Sequence, residues 1–278
     1  MLNPGLYLVA TPIGNLQDLS PRAIDVLRGA LRVYAEDTRH SQKLLNHFDI
    51  QADLRSLHQH NEVSRYPEIK DLVEAGNALA LITDAGTPGI SDPGTAIVSA
   101  LHDDDLSVYP VPGASSLAAA LSVSGFDHGT AGTLWHGFLP QKQKARRDTI
   151  ERFDQFEGVV VFLESPHRIQ ACAKDLADLL DDRALVVCRE LTKKFETVYR
   201  TTCEQFVSKS EEASRGELTL VLGPKSAPAE DDAVQEAISA VFQLLDAGLS
   251  AKDASKAASI VFGVSKKILY NAAIERKA

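Results

Sequence analysis

The alternation of two hydrophobic patterns limits most strongly what this chain can fold into. Short aliphatic or β-branched runs of strand length alternate with segments whose apolar residues recur at the helical period. This alternation is typical of an α/β layer fold with a largely parallel sheet. The strands predicted in the first part are residues 6–10, 32–35, 53–57, 78–83 and 107–111. Ser20-Pro21 predicts the start of a helix, because the serine side chain caps free amides and proline lacks one.

A second α/β region is predicted after a boundary rich in proline and glycine. Pro112-Gly113 ends the last strand of the first part, and three glycines follow between residues 125 and 132. We therefore expect an N-terminal α/β domain over residues 1–113 and a C-terminal α/β domain over residues 114–225. The strands predicted in the second domain are residues 159–163, 185–189, 196–200 and 217–222, and its helices lie near 144–153, 167–180 and 204–208.

The last part of the chain, residues 231–278, has three helical patterns and no strand pattern. A linker is predicted before it, at residues 223–230, which include two prolines. One helical face is predicted to consist of Ala254, Ala257, Ala258 and Val261. A turn containing Gly263 then leads into a further helix, an arrangement that resembles a helix-turn-helix. A small helical cap that packs on the rest of the protein explains the same pattern.

A formal net charge of −9 over 278 residues excludes non-specific nucleic-acid binding across the whole surface. A nucleic-acid partner must meet a local basic patch, and residues 141–152 and 252–278 are the two candidates. Solvated helix faces would account for the same basic runs.

The cysteines and histidines indicate neither disulfides nor a metal. The three cysteines are scattered singly, and His58 and His60 have no further ligand at a usual spacing. The N-terminal segment has no basic region, and no apolar stretch reaches about 18 residues. We expect a cytoplasmic protein without a resident metal.

Three loops carry the residues that favour ligand binding. The segment 83–94 follows an apolar strand and contains three glycines and two prolines. Such a loop is rigid and allows close approach of its backbone to a ligand. Residues 11–15 and 111–116 form similar loops after other strands, at the sheet edge where α/β proteins bind ligands. The G-x-G-x-x-G fingerprint of dinucleotide binding is absent, which argues against a nicotinamide cofactor.

A set of motifs follows in order along the chain, and these motifs are Thr11-Pro12-Ile13-Gly14-Asn15, Glu36-Asp37-Thr38-Arg39, His60-Asn61-Glu62, residues 84–94, Gly137-Phe138-Leu139-Pro140, Glu164-Ser165-Pro166-His167-Arg168 and Arg189-Glu190-Leu191-Thr192-Lys193. Their order resembles that of the tetrapyrrole methylase family. The resemblance is to the subfamily that 2′-O-methylates a cytidine ribose in small-subunit (16S) ribosomal RNA, and it covers about residues 5 to 225. The helical tail resembles that subfamily's appended domain.

This resemblance implies two α/β domains with S-adenosylmethionine in the cleft between them, and a homodimer. The residues that it implies as cofactor contacts are Pro12, Asp84, Ala85, Gly86, Thr87, Ser115, Ser116 and Leu163. One departure is Pro112-Gly113-Ala114, where the family pattern has Pro-Gly-Pro, so contacts in that loop are harder to assign.

Two polar clusters follow predicted strands and are candidates for activating a ribose hydroxyl. The preferred pair is Lys193 and Glu190, with Asp37 and Glu36 as substitutes. A weakly acidic hydroxyl needs a base or a nearby cation to react. The alternative is a structural network in which the neighbouring arginines simply pair with these carboxylates.

Basic residues outside these clusters are candidates for gripping the RNA backbone. The residues predicted to do so are Arg39, Lys142, Lys144, Arg146, Arg147, Arg168, Lys266 and Lys267. For Arg168 at a helix start, Glu164 is an alternative partner to an RNA phosphate.

Two other functions remain open from the sequence. A methylase that acts on a tetrapyrrole would use the same cleft architecture. A non-catalytic RNA-binding dimer would keep the fold without the cofactor. The basic run after Pro140 and the helical tail argue against the first, and the ligand loop at residues 84–94 argues against the second.

Overall fold

The computed structural model describes residues 1–225 and 230–276, and the chain divides into two compact units. The first unit, residues 1–224, contains two sheets, and the second, residues 225–278, contains helices. Within the described part of the chain, every helix is too short or too polar to cross a lipid bilayer.

The first sheet consists of β1 (Gly5–Val9), β2 (Arg32–Ala35), β3 (Leu54–Ser56), β4 (Ala78–Ile82) and β5 (Val108–Val111). All neighbouring strands are parallel, in the order β3-β2-β4-β1-β5. Each lies at its predicted position, within about one residue at either end. The central strand β4 is buried along its whole length, as expected for a parallel sheet that is covered on both faces.

Helices cover both faces of this sheet, and they are α1 (Pro21–Gly29), α2 (Thr38–His47), α3 (Glu62–Glu74) and α4 (Thr95–Asp103). Alternate residues of β4 pack with α1 and α2 on one face and with α3 and α4 on the other. The predicted start of α1 is confirmed. The Ser20 hydroxyl accepts a hydrogen bond of 3.1 Å from the Ala23 amide, and Pro21 is the first helical residue.

The second sheet also has five strands, in the order β6-β7-β10-β8-β9. Its elements in chain order are α5 (Ser116–Ser124), β6 (Thr133–Phe138), α6 (Gln143–Asp154), β7 (Val159–Glu164), α7 (Ile169–Leu180), β8 (Ala184–Arg189), β9 (Thr197–Thr202), α8 (Cys203–Lys209) and β10 (Leu218–Leu222). Only β6 and β7 are parallel, and the other neighbouring pairs are antiparallel.

This sheet differs from the sequence prediction in two ways. The edge strand β6 was not predicted, and its register shifts between Trp135 and Gly137. The strand directions are mixed, although helices and strands do alternate as predicted. The short connection between β8 and β9 explains why that pair is antiparallel, because a loop of a few residues joins only antiparallel strands.

The second unit has three helices, which are α9 (Glu230–Asp246), α10 (Ala251–Phe262) and α11 (Lys266–Glu275). No strand occurs among its described residues. The predicted linker 223–230 and the end of the predicted tail, 277–278, lie partly or wholly outside the described residues. The turn between α10 and α11 contains Gly263 in the left-handed conformation, which is common at the C-terminal end of a helix.

One detail of the predicted apolar face of α10 is wrong. Ala254 and Ala258 are buried, but Val261 is 74% exposed. The packed face consists of Ala254, Ser255, Ala258 and Phe262, and Val261 lies outside it.

Candidate active site

A cavity of about 320 Å³, here called the main cavity, lies where loops of the first sheet face the ends of β6, β7 and β10. Of the eight residues predicted to contact a cofactor, seven line it: Asp84, Ala85, Gly86, Thr87, Ser115, Ser116 and Leu163. Pro12 instead lines a neighbouring cavity of about 240 Å³, which shares Asp84 with the main cavity. The two cavities are therefore adjacent.

Backbone hydrogen bonds join the 11–15 loop to the 83–94 loop. The amide of Thr11 donates to the Gly86 carbonyl at 2.9 Å, and the Gly86 amide donates to the Thr11 carbonyl at 3.0 Å. The Thr11 hydroxyl also donates to the carbonyl of Thr83 at 3.0 Å. These bonds hold the start of the 83–94 loop in one position on the sheet edge.

The end of the same loop is fixed by a buried carboxylate. The Gly94 amide donates to Oε1 of Glu62 at 2.7 Å, and Glu62 is 6% exposed. Gly94 has a φ of +124°, and a Cβ there would meet the Leu81 side chain at 2.7 Å. Only glycine fits this position, so the loop has a defined exit into α4.

The loop contacts the second sheet through Ser91. This residue has a φ of +67°, which is unusual for a side chain other than glycine. A Cβ added to Gly137 of β6 would lie 3.0 Å from the Ser91 hydroxyl oxygen. Strained residues that are held by close packing are concentrated at functional sites.

The N-terminus of α5 forms another wall of the main cavity. Ser115 precedes the helix but makes no capping hydrogen bond with its side chain, and Ser116 is the first helical residue. The first amides of a helix favour an anion. The Thr87 hydroxyl donates to the Ala114 carbonyl at 3.2 Å and connects this wall to the 83–94 loop.

Glu164 at the end of β7 is the most buried charged residue of the main cavity, at 1% exposure. Its Oε1 accepts hydrogen bonds of 2.7 Å from the amide of Ser165 and from Nε of Arg168. Its Oε2 is buried without a hydrogen-bond partner among the described residues. Such an oxygen is available to accept a hydrogen bond from a ligand or from an ordered water.

Three carboxylates meet at the strand ends of the first sheet. Burial raises the pKa of Glu36, and the nearby Asp84 adds to the effect. Burial, followed by the charges of Glu36 and Asp84, raises the pKa of Asp92 to about 7. Asp37 differs, because hydrogen bonds from Arg39 lower its pKa to about 2. Asp37 is also the N-cap of α2, which makes it part of the scaffold.

Lys193 and Glu190 lie together in the structure, and Glu217 joins them. Nζ of Lys193 lies 3.0 Å from Oε1 of Glu190 and 2.9 Å from Oε2 of Glu217. Burial alone would lower the pKa of Lys193, but the hydrogen bonds to Glu217 and Glu190 hold it above its ordinary value. The raised pKa favours the protonated form of Lys193, which suits a cation that orients a hydroxyl better than it suits a base.

This cluster contacts the 11–15 loop closely. A Cβ added to Gly14 would lie 2.3 Å from Cγ of Lys193 and 2.8 Å from the hydroxyl oxygen of Thr192. Glu190 and Thr192 both have positive φ, at +53° and +66°. The loops of the two sheets are thus packed directly against each other beside the main cavity, which Glu217 also lines.

The basic residues predicted to bind RNA fall into two groups. Arg39, Lys142, Lys144, Lys266 and Lys267 are exposed, and Arg39 also pairs with Asp37. Arg146, Arg147 and Arg168 form ion pairs with carboxylates, and these partners are Asp175, Asp178 and Glu164. Arg146 is 4% exposed. Its guanidinium therefore serves the packing of α6 on α7 and does not reach solvent.

Several residues of the main cavity were not predicted as site residues from the sequence. They are Asp92, Trp135, Phe138 and Glu217. Asp92 lies in the 83–94 loop that was predicted to bind a ligand, but the burial of its side chain depends on neighbours from other strands. Trp135 and Phe138 lie on β6, and the aromatic residues between Gly132 and Pro140 were the available signal for that strand.

Comparison with known proteins agrees with this architecture. Residues 5–207 match the family model of tetrapyrrole (corrin/porphyrin) methylases, and residues 232–277 match the model of the RsmI C-terminal HTH domain. The fold and the cavity thus define a methylase of the tetrapyrrole type.

Relatives of similar length show to which group of tetrapyrrole methylases the chain belongs. "Ribosomal RNA small subunit methyltransferase I" of Xylella fastidiosa is 42% identical over 97% of this chain and 99% of its own. The proteins of that name from Halalkalibacterium halodurans and Escherichia coli O157:H7 are 39% and 37% identical, over 96% and 98% of this chain and 93% and 95% of theirs. The chain belongs to the ribosomal RNA small subunit methyltransferase I group of the tetrapyrrole methylase family.

Solved structures share the fold at low sequence identity. Diphthine synthase has a TM-score of 0.60 at 15% identity and aligns over 78% of this chain and 89% of its own. The cobalt precorrin-4 methyltransferase of cobalamin biosynthesis has a TM-score of 0.56 at 17% identity, over 78% and 94%.

The chain is a methyltransferase that depends on S-adenosylmethionine. The residues of the main cavity fit that cofactor. Its amino-acid part offers a carboxylate, which suits the free amides at the start of α5. Its hydroxyl and amino groups are donors, which suit the unpartnered Oε2 of Glu164. The cavity volume of about 320 Å³ lies within the range of cofactor sites.

Proposed function

We propose that this protein transfers the methyl group of S-adenosylmethionine to the 2′-hydroxyl of a cytidine ribose in small-subunit ribosomal RNA. The observation that carries the proposal is the similarity to proteins named ribosomal RNA small subunit methyltransferase I. It extends over nearly the whole chain, across both the part that contains the main cavity and the C-terminal helices. A methylase for a compact tetrapyrrole has no evident use for those helices.

The cofactor contacts follow from the main cavity. The backbone of residues 84–87 and the start of α5 at Ser115 and Ser116 hold the amino-acid part, and Leu163 and Glu164 border the rest. The cofactor supplies a methyl group on a positively charged sulfur. The protein supplies orientation, and holding reacting groups in line is worth on the order of 7–11 kcal/mol.

Lys193 and Glu190 position the substrate hydroxyl. Lys193 is a cation held by Glu190 and Glu217, and Glu217 lines the main cavity. A fixed cation near the hydroxyl lowers the pKa of that hydroxyl and orients its oxygen. Asp37 has a smaller part in the chemistry, because its carboxylate is used by the N-terminus of α2 and by Arg39.

The exposed basic residues contact the RNA backbone. In the first unit these are Arg39, Lys142 and Lys144, and in the second unit they are Lys266 and Lys267 in the first turn of α11. Contacts to phosphates position a substrate without reading its sequence. The nucleotide to be methylated is then selected through the folded shape of the RNA or of the assembled 30S subunit.

The protein acts as a homodimer in the cytoplasm. The free, buried state of Cys172, Cys188 and Cys203 agrees with a reducing compartment. Sedimentation equilibrium tests the dimer, since a monomer mass at micromolar concentration would contradict it.

The function is tested by methyl transfer from labelled cofactor to a set of substrates. Purified protein is incubated with unmodified 30S subunits, with naked 16S RNA and with uroporphyrinogen or a precorrin. The proposal predicts label in the RNA of at least one of the first two and none in the macrocycle. Label in the macrocycle alone would establish a tetrapyrrole methylase instead. Binding of RNA without binding of cofactor, by calorimetry, would establish a non-catalytic protein.

A further inference from the structure

The lining of the main cavity is acidic. Within the described part of the chain no lysine, arginine or histidine lines it, and its titratable residues are Asp84, Asp92, Glu164 and Glu217. Such a lining suits a cofactor whose sulfur is positively charged, and it repels phosphate. Every internal ribose of an RNA strand is flanked by phosphates, which carry the strand's negative charge. The phosphates beside the ribose that is methylated must therefore lie close to the main cavity but outside it.

The neighbouring cavity of about 240 Å³ has a basic lining instead. The basic side chains that line it are His40, Lys43 and His47. They lie on α2 at spacings of three and four residues, so one face of the helix presents them together. Among the described residues of this lining the only carboxylate is Asp84, which the two cavities share. The lining thus changes from acidic to basic at Asp84.

Lys43 is the cation of this cavity that is available to an anion. Its side chain is exposed, and within residues 1–225 and 230–276 its ammonium group forms neither a salt bridge nor a hydrogen bond. Other cations near the two cavities already have carboxylate partners, since Arg39 pairs with Asp37 and Lys193 pairs with Glu190. Lysine is a common phosphate ligand in proteins.

The remaining wall of the neighbouring cavity is apolar. Pro12, Leu16 and Leu44 form it, and Leu16 is 40% exposed. Carbon atoms of a sugar or a face of a base can pack on such a wall. Pro12 follows Thr11, whose backbone is hydrogen-bonded to Gly86 of the 83–94 loop. The wall is therefore fixed in position relative to the main cavity.

We propose that the neighbouring cavity binds the RNA backbone phosphate next to the ribose that is methylated. This inference rests on the proposed function. The ammonium group of Lys43 donates hydrogen bonds to the phosphate, and the imidazoles of His40 and His47 donate to the phosphate or to the sugar. The main cavity takes the cationic methyl donor, and the neighbouring cavity takes the anionic strand that accepts the methyl group. These three residues hold the RNA and take no part in the transfer of the methyl group.

The variant Lys43→Gln tests the inference by equilibrium binding to unmodified 30S subunits over a series of salt concentrations. We expect the affinity to fall by about tenfold, as for the loss of one hydrogen bond to a charged group. The slope of log affinity against log salt should become smaller by about 0.7–0.9, the change for one phosphate contact. Cofactor affinity by calorimetry and Tm should stay at the wild-type values.

A matched control and a second variant accompany this measurement. Lys174→Gln changes an exposed lysine of α7 that lines neither cavity, so it should bind 30S subunits as the wild type does. The double variant His40→Gln/His47→Gln should weaken binding by a smaller factor, about threefold.

A photo-crosslink locates the contact on the RNA. Lys43 is replaced by the photoreactive p-benzoylphenylalanine, the protein is irradiated with 30S subunits, and the crosslinked nucleotide is mapped by primer extension. We expect crosslinks at the methylated cytidine or at a nucleotide directly beside it. The same replacement of Lys174 should give none there.

The inference is overturned if Lys43→Gln binds 30S subunits with the wild-type affinity and salt dependence, or if the crosslinks from position 43 lie only at nucleotides distant from the methylated one. A wild type that binds 30S subunits but transfers no methyl group to their RNA would instead refute the proposed function.

Discussion

Arg146 and Asp175 form a buried ion pair between α6 and α7, with 2.7 Å between Nη2 and Oδ2. Their side chains are 5% and 2% exposed. Nε of Arg146 donates a second hydrogen bond to the same oxygen at 2.8 Å. Arg147 and Gln143 donate to the other carboxylate oxygen of Asp175. The ion pair thus belongs to a hydrogen-bonded network that fixes α6 against α7.

Breaking this network should destabilise the protein strongly. In Asp175→Ala the Arg146 guanidinium stays buried without a partner, so we expect a loss of about 3–5 kcal/mol in the free energy of unfolding. Urea denaturation measures it. The matched control is Asp178→Ala, whose carboxylate is 61% exposed and pairs with Arg147. That change should cost less than about 1 kcal/mol, and equal losses for the two variants would contradict the network.

Lys193 should matter for chemistry more than for binding. Lys193→Met removes the cation and leaves Glu190 and Glu217 unpaired, so we expect a fall of about 10²-fold or more in the rate of methyl transfer. Cofactor affinity by calorimetry should change little. Lys194→Met is the control, because Lys194 is exposed and lies over the ring of Phe195. A wild-type rate in Lys193→Met would remove Lys193 from the mechanism.

The contact between the 11–15 loop and the residues that follow β8 can be tested at Gly14. A Cβ there would meet Cγ of Lys193 at 2.3 Å and the Leu191 carbonyl oxygen at 3.0 Å. Gly14→Ala should therefore destabilise the fold by about 1–3 kcal/mol and slow methyl transfer. Gly29→Ala is the comparison, since its nearest neighbour is the flexible end of Leu2 at 3.1 Å. It should be neutral or more stable by up to about 1 kcal/mol.

The second unit should contribute to the affinity for RNA and have no effect on the affinity for the cofactor. A variant that ends at residue 224 keeps both sheets and the main cavity. We expect unchanged cofactor affinity and weaker binding to RNA. Its binding should also depend less on salt, with the slope falling by about 0.7–0.9 for each lost phosphate contact. Full methylation of ribosomal RNA by this variant, with the full salt dependence, would show that the helices are only a cap.

In the first sheet, β4 is uniformly apolar and α1 begins at a clear cap, so both could be predicted from sequence. The uniform burial of β4 and the Ser20-Pro21 start of α1 are both local signals. The strand β6 escaped prediction because it is an edge strand. Thr133 and Leu134 are exposed, and Gly137 interrupts the register, so the periodicity is weak.

The ligand loops could also be predicted, but the electrostatics of the site could not. The raised pKa of Asp92 depends on burial and on the charges of Glu36, which follows β2, and of Asp84, which lies in the same loop. The burial of Arg146 depends on Asp175, which lies 29 residues away. Such partners are set by the packing of distant segments, and spacing along the chain does not reveal them.

The most direct test of the account is mass spectrometry of the nucleosides released from 30S subunits after reaction with the protein and S-adenosylmethionine. The account predicts a gain of 2′-O-methylcytidine that is absent when the protein or the cofactor is left out. A methyl group found on a base, or no methylated nucleoside while the cofactor still binds, would contradict it.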